Sequence, residues 1–285
     1  MKWGIIDIGS NSVRLLVVDG AKTLLKTNKI TRLSENMGDE LTLKTEMVDR
    51  TVCAVSFFVN TAKKMGVENI KIFATAAVRK AKNKQFFIDK IKSETGYDLD
   101  VVSGELEAKL GVLGALKNDD GAVIDIGGAS TEIAIKTNGE ISYLKSIDIG
   151  AVNTTEKGSN LLEKTLEFIS EKINDFGDIK LSNLVGIGGT ITSLASISLK
   201  LEVYDAEKVN GYALSYSEIE RLNNMLFNMS IEERESLIGL QKERANIIAS
   251  GSAILLCVMK KFNVKNITIS ESDNLEGYSI YKGIL

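Results

Sequence analysis

Apolar positions recur along the chain with two different periods, and the alternation between them outlines its elements. Short apolar or alternating runs at 3-WGIID-7, 13-VRLLVV-18 and 24-LLKTNKITRL-33 predict three strands joined by tight turns. The run 45-TEMVDRTVCAVSFFVNTAKKMG-66 reads as a helix and closes on Lys-Lys and a glycine, as helices do. Strand 70-IKIFA-74, a helix near 83–95, strand 99-LDVV-102 and a helix over 104–116 follow. The order then restarts. Strands at 121-GAVIDI-126, 131-TEIAIK-136 and 140-EISYLKSIDI-149 repeat the opening meander. A helix over 161–176, a strand over 184–187 and a helix over 190–199 repeat the alternation. Helices over 217–228 and 242–262, a short piece from 230 and strand 266-NITIS-270 complete the pattern.

Three meandering strands followed by alternating helices and strands imply a mixed sheet flanked by helices. Two such sets in one α/β chain imply a duplication with a cleft between the copies. The repeat is in register: Asp7, Gly9 and Ser12 align with Asp125, Gly127 and Ser130 at one constant offset. The polar cluster 117-KNDDG-121 divides a first domain, 1–117, from a second, 118–270. The closing segment, about 271–285, is free to pack back on the first.

Composition narrows the chemistry. A formal charge of -3 gives no global attraction to nucleic acid or to an anionic membrane. The N-terminus shows no secretory signal and no apolar run approaches ~20 residues, so a cytoplasmic protein without a spanning helix is expected. Cys53 and Cys257 lack metal or redox spacing and read as reduced core residues. With no histidine, acid–base work falls to carboxylates, lysine, tyrosine or cysteine. The chain also has no proline, for which we find no physical account.

Five stretches carry candidate chemistry. In 5-IIDIGSNSVRLLV-17 and 123-VIDIGGASTEIAI-135 an apolar run ends in an aspartate, a glycine follows, then a turn and a serine. Glycines let several N–H groups point into one concavity that suits a phosphate. An aspartate beside it suits a divalent cation, often through water. Ordinary hairpins use glycine too; the duplication is what favours the phosphate reading. The loop 186-GIGGTITS-193 opens a helix and is either an anion site or a tight strand-to-helix connection. It is neither a P-loop nor a dinucleotide fingerprint. Arg79, in 73-FATAAVRKAKN-83, follows a strand and can fork onto phosphate oxygens, or is a solvated surface residue. In 103-SGELEAKLGVLGAL-116, Glu105 and Glu107 sit in a first helical turn, where charge–dipole attraction alone accounts for Glu105.

Taken together, these motifs resemble the exopolyphosphatase/guanosine pentaphosphate phosphatase (Ppx/GppA) family of the actin-like ATPase superfamily. IDIGSNSVRLLV and ATAAVRKAKN are similar to its first phosphate loop and arginine segment, and VIDIGGASTEI and VGIGGTITSLA to its later loops. ERANIIASGSAIL resembles the motif before its final long helix. Aligning SGELEAKL places the catalytic glutamate at Glu107. Four positions depart from the family pattern: Ala129 replaces a glycine, Leu106 an acidic residue, Lys109 an arginine and Leu275 an arginine.

The resemblance implies two ribonuclease H-like domains and hydrolysis of a terminal phosphoanhydride, releasing orthophosphate from polyphosphate or pppGpp. It implies a short form, without the helical HD-type domain of longer relatives and suited to short chains. Phosphate would be bound by Asn11, Ser12, Arg79, Gly127, Gly128, Ser130, Gly188, Gly189 and Thr190. Mg²⁺ or another divalent cation would lie near Asp125 and Glu132, with Asp7 as a further carboxylate. Glu107 would position and activate the attacking water. Partners are then inorganic polyphosphate or guanosine penta- and tetraphosphate, with a homodimer left open. Two other classes remain: a (p)ppGpp- or polyphosphate-binding sensor with little turnover, and an acetate- or sugar-kinase-like phosphotransferase.

Overall fold

A computed structural model describes residues 1–158 and 162–285. They form two compact units, Met1–Gly114 with Asn274–Leu285, and Ala115–Asp273. In the first, β1 (Lys2–Ile8), β2 (Ser12–Asp19) and β3 (Lys22–Ile30) form the meander. The alternation follows as α1 (Thr45–Lys64), β4 (Asn69–Ala74), α2 (Ala76–Lys80), α3 (Lys84–Thr95), β5 (Leu99–Val101) and α4 (Gly104–Ala115). The sheet order is β3-β2-β1-β4-β5, antiparallel through the meander and parallel from β1 to β5.

Alternation along β1 divides its side chains between two layers. Ile6 and Ile8 pack with Val48, Val55 and Phe58 of α1, while Ile5 packs with Leu110 of α4. Helix α1 buries Val48, Val52, Val55 and Val59 on one side, which turns Cys53 outward. Cys53 is therefore exposed rather than a core residue, whereas Cys257 is buried as expected. Strand β3 stops at Ile30, short of the expected Leu33. The amides of Thr31 and Arg32 leave the ladder for the Asn11 carbonyl, at 2.9 and 2.8 Å, and Arg32 takes φ 51°.

The second unit opens with β6 (Gly121–Ile126), β7 (Thr131–Thr137) and β8 (Glu140–Ile147). It continues through α5 (Ala151–Lys157) and α6 (Leu162–Lys172), which runs on as a 3₁₀ turn, Ile173–Phe176. The expected start of that helix, Leu161, lies outside the described residues. Then come β9 (Leu184–Ile187), α7 (Gly189–Ser198), α8 (Ala206–Val209), β10 (Ala213–Ser215), α9 (Tyr216–Asn228) and α10 (Ile231–Glu235). A 3₁₀ turn, Lys242–Arg244, precedes the buried α11 (Ile248–Lys261) and β11 (Asn266–Ile269). The last helix, α12 (Asn274–Tyr281), belongs to the first unit.

From β8 inward the second sheet reads β8-β7-β6-β9-β11, the order of the first, with β10 added antiparallel at the edge. Even the irregularities repeat, since both meanders shift register at equivalent points, Val17/Val18 and Ile135/Lys136. These are two ribonuclease H-like mixed sheets. Among the described residues no helix is long and apolar enough to cross a membrane.

Candidate active site

The two acidic turns close identically. The amide of Gly9 donates to the Ser12 carbonyl at 2.9 Å, and that of Gly127 to the Ser130 carbonyl at 3.0 Å. Around them the units differ. In the first, the loop after β3 wraps the turn, with Ser34 donating to the Ser10 carbonyl at 2.9 Å. The Asn11 side chain is buried there, and neither its Oδ1 nor its Nδ2 has a hydrogen-bond partner. In the second unit, α5 does the holding. Ala151 donates to the Gly127 carbonyl and Val152 to the Gly128 carbonyl, both at 2.8 Å, and Asn153 Nδ2 to the Ala129 carbonyl at 3.1 Å. Ala129 thus sits in a turn fixed from outside by a helix start.

The first unit brings Asp7, Arg79 and Glu107 into one neighbourhood. Strand β1 ends on Asp7, β4 leads into α2 and Arg79, and α4 presents Glu107 from its first turn. Ser103 caps α4, its Oγ accepting from the Leu106 amide at 3.1 Å. Arg79 Nη1 donates to Glu107 Oε2 at 2.8 Å and to the Val102 carbonyl at 3.0 Å. Glu107 is buried, 6% exposed. Burial raises its carboxyl above the ordinary glutamate value; Arg79 pulls it back, the Asp7 charge pushes it up further, and a Thr75 hydrogen bond lowers it. Asp7 is itself ion-paired across the hairpin with Arg14, whose Nε donates to Oδ2 at 2.8 Å.

In the second unit the residue opposite Asp125 is Glu132, so two carboxylates share one face of the β6–β7 pair. Ser146 Oγ donates to Glu132 Oε1 at 2.6 Å. The Asp125 carboxylate also lies over Gly188, the residue before α7. Gly188 takes φ 85°, and any Cβ there would overlap Asp125 Oδ1. At Gly189 a Cβ would overlap the guanidinium of Arg244, so glycine lets the backbone meet both a carboxylate and an arginine. Thr190 follows, buried in the first turn of α7.

The sequence reading grouped Asp7 with Asp125 and Glu132. The structure places Asp7 in the first unit, on Arg14, and the other two in the second. Among the described residues no three carboxylate, cysteine or histidine side chains cluster as metal ligands. Arg244 was passed over as a site residue. It is buried, and its Nε donates to Gln241 Oε1 at 3.2 Å. Its signal was the arginine of ERANII, just ahead of the last long helix. Tyr204 and Glu271, hydrogen-bonded to each other beside Arg244, and the turn-holding Asn153 had no distinctive signal.

The duplicated sheets with paired acidic turns define the class, a two-unit ribonuclease H-like α/β protein. The sequence matches the Ppx/GppA phosphatase family over residues 13–282, and the chain belongs to that family. A bifunctional 3-dehydroquinate synthase/phosphatase from Fusobacterium nucleatum is 33% identical over 308 residues, covering 98% of this chain and 46% of the relative. A guanosine-5'-triphosphate,3'-diphosphate pyrophosphatase from Aliivibrio fischeri is 28% identical, over 96% of this chain and 58% of the relative. The crystal structure of an exopolyphosphatase from Cytophaga hutchinsonii matches with a TM-score of 0.89 at 26% identity, over 100% of this chain and 99% of that one. The chain spans about half the length of the curated relatives it matches.

Proposed function

We propose that the protein is an exopolyphosphatase-type phosphoanhydride hydrolase. It releases terminal orthophosphate from inorganic polyphosphate, short chains above all, or from pppGpp. One observation carries the reading: a chain without histidine buries Glu107 against Arg79. Burial raises the proton affinity of that carboxyl, which suits a group that must accept a proton from water. The names of the relatives, a pppGpp pyrophosphatase and an exopolyphosphatase, support this substrate class.

In this reading Asn11, Ser12 and Arg79 are the phosphate-binding residues of the first unit. Gly127, Gly128, Ser130, Gly188, Gly189 and Thr190 are the phosphate-binding residues of the second. The buried, unpartnered carboxamide of Asn11 is a ready donor. Asp125 and Glu132, facing each other with hard oxygens, fit a divalent cation such as Mg²⁺; Asp7, already neutralised by Arg14, fits less well. The cation would offset phosphate charge, and Glu107 would orient the attacking water and take its proton.

Phosphate release from short polyphosphate, long polyphosphate and pppGpp, each with Mg²⁺ and then with EDTA, tests the reading. Release from at least one substrate, lost in EDTA, is expected. Glu107→Gln should bind substrate yet release phosphate about 10²–10⁴-fold more slowly. Near-normal turnover by that variant would sink the assignment.

A further inference from the structure

Helix α12 closes the chain, yet it packs on the two elements that deliver Arg79 and Glu107. Gly277 lies against the backbone of α4, where a Cβ would overlap the carbonyl group of Leu110, one turn beyond Glu107. The helices therefore meet at backbone contact, a spacing that only a residue without a side chain permits. The next residue, Tyr278, is buried and stacks on Phe73, with ring centroids 4.3 Å apart and planes inclined by 11°. Phe73 lies in β4, which runs directly into Thr75 and the helix carrying Arg79. Tyr278 is fixed in turn, its hydroxyl donating to Asp100 Oδ2 at 2.9 Å. Lys282 also reaches Asp100 at 3.0 Å, and Glu276 holds Lys26 at 2.9 Å.

We propose that Gly277 and Tyr278 are positioning residues that set the Arg79–Glu107 pair, Gly277 by fixing the depth of α4 and Tyr278 by fixing β4. This rests on the reading of Glu107 as the base. The pair is joined by a bond of 2.8 Å between elements that enter from different sides of the sequence. A shift of either element therefore moves one partner and leaves the other behind. An added methyl at position 277 must push α12 and α4 apart, because the atoms it meets are backbone. Displacements of about 1 Å cost about 100-fold in rate when a reacting group is held in place.

The test uses the full chain with Gly277→Ala and Tyr278→Leu. Two quantities are read: kcat and KM for phosphate release, and the NMR signal of the Arg79 guanidinium protons, assigned by its loss in Arg79→Lys. Folded variants are expected to lose about 10- to 100-fold in kcat with KM within about two-fold. Their Arg79 signal should shift or broaden as its bonds to Glu107 and Val102 loosen. A folded variant with wild-type kcat and an unchanged Arg79 signal, differing only in melting temperature, overturns the proposal. Should Gly277→Ala fail to fold, Tyr278→Leu decides by the same readouts. Should Glu107→Gln retain turnover, the reading of Glu107 fails, while the Arg79 signal still decides whether α12 sets the pair.

Discussion

Asp7 and Asp125 hold equivalent places at the ends of β1 and β6, and the residue across each hairpin answers them differently. Arg14 neutralises the first, whereas Glu132 sets a second negative charge opposite the other. Like charges held together favour a bound cation, which is why the proposed function assigns the cation to the second hairpin. In the first, the Asp7 charge acts instead on Glu107, raising its carboxyl on top of the larger effect of burial. On the proposed reading of Glu107 as general base, its carboxyl works only when ionised, so the rate should climb with pH through this raised value. The acid limb then lies above the ordinary glutamate range. Asp7→Asn removes a negative neighbour and leaves Arg14 positive; both changes favour the ionised carboxylate. The acid limb of kcat/KM should accordingly move to lower pH in a pH–rate series, and an upward shift would contradict the assignment. Two departures from the family pattern, Leu106 and Leu275, also find an explanation here. Both pack in the apolar cluster of Ile5, Leu110 and Tyr278, so each contributes to the contact between α4 and α12.

At the scale of elements, the meanders were legible because short apolar runs such as 13-VRLLVV-18, set between turn signals, carry their type; the burial of both faces of that strand, Val13, Leu15 and Val17 in one cluster and Leu16 and Val18 in another, was not. Helix α5 was not legible. AVNTTEK has no apolar period, and its value lies in amides and a side chain that take the Gly127, Gly128 and Ala129 carbonyls. The run 242–262 reads as one helix, yet α11 begins only at Ile248, after a 3₁₀ turn that carries Arg244. Within the candidate site, the paired acidic turns were visible from their repetition. The meeting of Arg79 with Glu107 was not, since no local spacing connects a residue after β4 with one in α4; each was a candidate by itself, and nothing in the sequence paired them. Asn153 gives a direct test of α5. Its Oδ1 accepts from the Gly150 amide at 2.7 Å while its Nδ2 holds Ala129, so Asn153→Ala removes the side-chain ties between turn and helix. A loss of about 1–3 kcal/mol in urea denaturation is expected. Asn153→Asp, which keeps the acceptor and loses the donor, should fall between. Equal stability of all three proteins would show that the Asn153 side chain adds nothing to the hold that the Ala151 and Val152 amides keep on the turn.

Across the whole molecule the two units draw on the chain unequally. The second is one continuous stretch, Ala115–Asp273, while the first needs Asn274–Leu285 to be complete. Leu275 and Tyr278 are fully enclosed in the cluster of Ile5, Leu16, Phe73 and Leu110. Each such side chain contributes about 1.5–3 kcal/mol on burial. Losing both would remove a large share of the ~5–15 kcal/mol that ordinarily holds a domain folded. Trp3, the only tryptophan of the chain, packs against this same cluster, so its fluorescence reports on the first unit alone. A fragment of residues 115–273 should therefore unfold in urea as a cooperative unit by itself, followed by circular dichroism. A fragment of residues 1–114 should show red-shifted Trp3 emission and no cooperative transition until a peptide of residues 274–285 is added. Cooperative unfolding of 1–114 without the peptide would mean that α12 decorates a sheet already stable, and its grip on α4 could not then be what gives the first unit its fold.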